Sequence, residues 1–85
     1  MPYIVKAQRE KYDGAIQEIG RVIGTTPGNL NYVVTRICHG YLDNGTLSYQ
    51  RINDVIGALE CAKLELIRRR VNSYEDKKIL ENGDL

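Results

Sequence analysis

From Ile52 to Ile67 the chain repeats Ile52, Val55, Ile56, Leu59, Ala62, Leu66 and Ile67 at helical spacing, within a segment of about six turns that begins after Ser48. This stretch constrains the fold more than any other, because at about 100° per residue a second set of small or apolar residues lies beside the first stripe. That set is Gly57, Cys61, Leu64 and Val71. A narrow sector around Asp54, Ala58, Glu65 and Arg69 is left for solvent. A wide apolar arc calls for neighbours on more than one side. Gly57 and Cys61, four apart with Ala58 and Ala62 beside them, would let another helix approach closely.

The remaining segments read as helices of ordinary amphipathicity. Tyr12, Ile16, Ile19 and Ile23 make one stripe on a first helix from about Ala7 to Ile23, ended by Gly24-Thr25-Thr26-Pro27-Gly28. A second helix is expected to start at Asn29 or Asn31 and to run to Tyr41 or Leu42, with Leu30, Val33, Val34, Ile37 and Tyr41 on one face. Asp43-Asn44-Gly45-Thr46 stops it, and Ser48 is the N-cap of the third helix. A short fourth helix is expected from Ser73, paired with Asp76 in a variant capping box, to Glu81 before Gly83. The fold class that follows is all-α: a small bundle of three main helices plus a short C-terminal helix, with the long third helix central. One domain over residues 1–85 is expected, with an extended N-terminal arm at about 1–6 and a flexible tail at about 82–85.

A domain of 85 residues buries only about 60–65% of the surface its unfolded chain exposes. Self-association is a usual source of further burial where disulfides and metals are lacking. Cys38 and Cys61 both fall in helical patterns and read as small apolar residues rather than a disulfide framework. A homodimer built on the third helix, through Gly57, Cys61 and Leu64, is therefore the expectation. The competing account covers that helix with the first, second and fourth helices of the same chain.

Charge is nearly even, 12 Lys and Arg against 11 Asp and Glu, which removes the general electrostatic attraction on which nucleic-acid binders depend. Arg68-Arg69-Arg70 points in three directions around a helix, and cations are favourable near a helix C-terminus without any ligand. No run of about 18 apolar residues and no basic leader followed by an apolar stretch is present, so no membrane partner and a cytoplasmic location are expected.

Polar residues within the apolar arc are the candidates for function. Glu60, Lys63 and Arg70 lie there, and a lone buried charge would cost several kcal/mol, so each must pair or extend its head to water. His39, the single histidine, shares a side of the second helix with Tyr32, Thr35 and Arg36 and has no acidic or cysteine partner at metal spacing. Asn53, near the start of the third helix, is placed to bond the loop after Tyr41 or a partner subunit. His39, Tyr49, Asn53 and Glu60 form the expected interaction site; no catalytic residue and no cofactor is assigned.

Glu81-Asn82-Gly83-Asp84 has an E-x-x-D spacing similar to the magnesium motif of the all-α nucleotide pyrophosphohydrolases. Those enzymes add an E-x-x-E on a preceding helix, whereas Glu60 and Glu65 here are five apart. The alternative this similarity implies is a small metal-dependent enzyme assembled across a dimer, with Glu60, Glu65, Glu81 and Asp84 as ligands.

Across nearly its full length the chain resembles a family of short viral and prokaryotic proteins that form a domain of unknown function. The resemblance rests on Met1-Pro2-Tyr3-Ile4, Leu30-Asn31-Tyr32-Val33 with Thr35-Arg36 and His39, and Leu47-Ser48-Tyr49-Gln50 with Asn53-Asp54-Val55-Ile56-Gly57. It continues in Tyr74-Glu75-Asp76-Lys77-Lys78 with Glu81-Asn82-Gly83-Asp84. It departs at Ile67-Arg68, where an aromatic is expected, and at Ser73, where a proline is expected. It implies no activity, but it places Asn31, Tyr32, Arg36, His39, Tyr49, Gln50, Asn53, Asp54, Glu60, Lys63 and Glu65 in the family's pattern.

Overall fold

The structure is a computed structural model that describes residues 4–84. It is all-helical, as the periodicity predicts. The elements are α1 (Lys6–Val22), α2 (Pro27–Asp43), α3 (Tyr49–Leu66), a π-helical segment (Ile67–Val71) and α4 (Asn72–Asn82). Among the described residues no strand is present. By proximity the chain divides into two units, Met1–Gly40 and Tyr41–Leu85.

In the first unit, α1 begins after Val5, which is extended and contributes no side-chain cap. Met1–Tyr3 of the expected N-terminal arm lie outside the described residues. The helix ends as its sequence requires: the Ile23 N–H donates to the Ile19 carbonyl at 2.9 Å, and Gly24 takes φ 71, a left-handed conformation that costs glycine little. The start of α2 differs from the expected Asn29 or Asn31. Pro27 is its first residue, a position where the missing N–H costs nothing and φ is already helical. Asn29 serves the preceding helix instead, its Nδ2 donating to the Ile23 carbonyl at 3.1 Å.

The second unit holds the long helix. Ser48 is its N-cap, as expected, with backbone in the extended region and Oγ accepting the Arg51 N–H at 3.2 Å. At the other end the expected break before Ser73 is absent. The Asn72 N–H donates to the Ile67 carbonyl, an i→i−5 bond, and the helix passes through this π segment into α4. Tyr49–Asn82 is thus one helical run of 34 residues, about 50 Å long at 1.5 Å per residue. Ser73 does not cap because nothing between Ile67 and Ser73 stops a helix: no Pro or Gly occurs there. Gly83 ends the run at φ 84, its N–H donating to the Ile79 carbonyl at 2.8 Å. Leu85, at the end of the expected tail, lies outside the described residues.

Along the long run of the second unit, α3, the π segment and α4 meet end to end. No described residue is buried. The half-buried side chains of the long run, Arg51, Ile52, Val55, Glu65, Ile67 and Lys78, are interspersed with fully exposed ones.

Candidate functional site

The most exposed apolar surface of the second unit follows the long run. Along α3, Ile56 is 59% exposed, Leu64 55% and Leu66 59%. Leu59, Val71 and Tyr74 are exposed too. The π segment determines which of these share a face. Leu66 and Tyr74 are eight residues apart, which in an uninterrupted α-helix puts them about 80° out of phase. A π turn absorbs about one extra residue. The interval then acts as seven, and Tyr74 returns to the face of Ile52, Ile56, Leu59 and Leu66.

The residues expected to support close helix approach lie on this run and are open. A Cβ built on Gly57 would have no neighbouring atom within 4 Å, and Cys61 is exposed. Of the expected interaction residues, Tyr49, Asn53 and Glu60 lie on α3, whereas His39 belongs to the first unit. Tyr49 is 88% exposed. Glu60 pairs with Lys63 at 3.6 Å, one turn away, so the polar pair within the apolar arc is satisfied locally and neither charge is buried. Arg70 is exposed and has no partner among the described residues.

The polar face of α2 is held by its own i,i+4 contacts. Arg36 Nη1 donates to the Tyr32 hydroxyl at 2.7 Å, with its guanidinium 5.7 Å from the ring centre. Thr35 Oγ1 donates to Asn31 Oδ1 at 3.1 Å. The exposed His39 lies one turn beyond Thr35 and Arg36.

Two residues that sequence reasoning undervalued carry the strongest polar contacts. Glu65, read as simple solvent-facing surface, is half-buried and accepts from both Arg68, at 2.5 Å, and Arg69. Hydrogen bonds from Arg68 and then Arg69 hold its carboxyl down to about 2, against an ordinary value of 4.5. The signal was available, since a glutamate followed by arginines at i+3 and i+4 is a ready helix-surface pair. The other residue is Arg51. Its side chain reaches back to the last turn of α2, where Nη2 donates to the Tyr41 carbonyl at 2.6 Å, beside the loop that Asn53 was expected to bond if it did not bond a partner subunit. No periodicity argument reveals such a contact, because it joins residues ten apart across a turn.

The four carboxylates of the metal alternative do not converge within one chain. Glu60 and Glu81 lie on the same helical run, 21 residues and so about 30 Å apart along its axis. Glu65 is engaged by two arginines, and Glu81 accepts from Lys78 at 3.2 Å. Among the described residues no group of three or more His, Cys, Asp and Glu is placed to hold a metal ion. Among the described residues no helix is long and apolar enough to cross a membrane.

Comparison with known families matches residues 1–85 to a family described as Domain of unknown function (DUF6899). The chain belongs to DUF6899. The match covers both units, so the apolar run of α3 and α4 and the polar face of α2 are both parts of the DUF6899 domain. No curated protein and no solved structure matches it.

Proposed function

We propose that this DUF6899 chain is a non-enzymatic, self-associating helical module whose long helix is its association surface and which presents further faces to a protein partner. The observation that carries this reading is the exposed apolar stripe on one continuous helical run, with Ile56 and Leu66 each 59% open. Ordering the backbone costs about 1–2 kcal/mol per residue, and helices draw most of their stability from packing an apolar face. Covering a half-exposed Ile, Leu, Val or Tyr returns on the order of 1 kcal/mol. These residues lie on two sides of the run, the stripe of Ile56, Leu59, Leu66 and Tyr74 and the second set with Leu64 and Val71, and association is worthwhile only if both sides are covered. A second copy of the chain brings identical surfaces at the same concentration, and Gly57 and Cys61 admit it closely on the side of Leu64. The near-even charge favours a protein partner over a nucleic acid.

Light scattering across a concentration series tests this, with Leu64→Glu beside the wild type. The expected result is a wild-type mass of two chains and a lower mass for the variant, since a carboxylate placed in a desolvated contact costs several kcal/mol. A wild type that stays at the mass of one chain at every concentration defeats the reading.

A further inference from the structure

We propose that Arg51 is a clasp that fixes the last turn of α2 and the first turn of α3 into one folded corner, and that this corner forms independently of whatever covers the apolar stripe. The inference rests on a different observation from the self-association reading. Arg51 is tied at both ends. Its backbone N–H is the donor to the Ser48 Oγ that caps α3. Its side chain turns back over the loop and caps α2, where the final carbonyls of a helix lack intrahelical partners.

The contacts at that cap are made by the guanidinium. Nη2 donates to the Tyr41 carbonyl at 2.6 Å, and the same carbonyl accepts the Asn44 N–H at 3.2 Å, so one helix-end acceptor is shared by the turn and the clasp. The cation lies at the negative end of the α2 dipole. Its Cζ is 5.0 Å from the centre of the Tyr41 ring, within cation–π range. Gly45 provides the space: a Cβ there would meet Arg51 Cζ and Nη1 at 3.4 Å, ordinary contact for a methyl, and a branched side chain would press on the guanidinium. Arg51 Nε is shielded from solvent and has no acceptor, which means the guanidinium sits where the loop closes around it rather than where bulk water would hold it. Arg51 is half-buried with no carboxylate partner among the described residues; its place is set by a carbonyl, a ring and a glycine.

The test is nuclear magnetic resonance on the full chain. In the wild type the Arg51 δ-methylene protons, next to a guanidinium whose Cζ is 5.0 Å from the Tyr41 ring centre, are expected upfield of their free-chain position, and their absence there overturns the proposal. Arg51→Ala and Gly45→Val are expected to speed exchange of the Asn44 amide by about tenfold or more, while Gly45→Ala leaves it unchanged. Unchanged exchange in both Arg51→Ala and Gly45→Val overturns the clasp. If Arg51→Ala unfolds the whole chain, the Gly45→Val and Gly45→Ala pair decides, since both keep the arginine. Independence is read from Leu64→Glu: the upfield Arg51 signals are expected to persist in it whatever its mass. Their loss in step with a fall in mass overturns independence while leaving self-association supported.

Discussion

Ser48 and Glu65 show how much a single side chain can contribute where no core surrounds it. Ser48 satisfies one of the four amides that open α3. Ser48→Ala is expected to cost about 1 kcal/mol, and Ser48→Asp to restore most of it, in thermal melts followed by circular dichroism. For Glu65 the sign of the pH effect follows from its depressed carboxyl. A folded value near 2, below the ordinary 4.5, means that the arginine contacts contribute fully above about pH 4.5 and are lost as pH falls toward 2. Helicity of the wild type is therefore expected to fall over that window by more than that of Glu65→Gln, which carries no charge to lose. High salt is expected to narrow the difference, because the arginines are exposed and screened. Equal acid titrations in the two proteins would mean that the arginine contacts at Glu65 contribute nothing to the helix.

The helices were legible where a residue has one dominant local use, and obscured where it has two. Ser48 before Tyr49 and Gly24 after Ile23 signal a start and a stop, and both act so. Pro27 reads equally as the end of α1 and the beginning of α2; the structure uses it as the beginning. Ser73 with Asp76 has the composition of a capping box, yet a cap forms only where the chain leaves the helix, and nothing there makes it leave. The candidate surface was legible as a stripe because its period is written in Ile52 to Leu66. Its continuation to Tyr74 was not, since an extra residue is absorbed by i→i+5 bonding that leaves no mark in composition. The same π segment makes a prediction. Deleting Arg70 from it is expected to replace the π turn by α-helix and keep Tyr74 in phase with Leu66, leaving helicity and solution mass unchanged. Deleting Ala58 from α3 turns everything downstream by about 100° and is expected to lower the mass. Equal behaviour of the two deletions would show that the phase of α4 is irrelevant to association.

At the level of the whole molecule, no described side chain is fully buried, and the proposed self-association would supply further burial. Under the proposed self-association, stability depends on how many copies are present, because folding and association are then one equilibrium. A dimer melting as a single unit of about 170 residues changes its stability by about 1.4 kcal/mol for each tenfold change in concentration. At that size 1 kcal/mol moves the midpoint by about 2–4 °C. The melting temperature is accordingly expected to rise by about 3–6 °C for every tenfold increase in protein, with Leu64→Glu melting lower at each concentration. Melts by circular dichroism over two decades of concentration measure this directly. A midpoint that does not move would mean that one chain covers its own stripe, and the long helix would lose its standing as the association surface. A moving midpoint would instead tie the helicity of Tyr49–Asn82 to the contact that buries Ile56, Leu59 and Leu66.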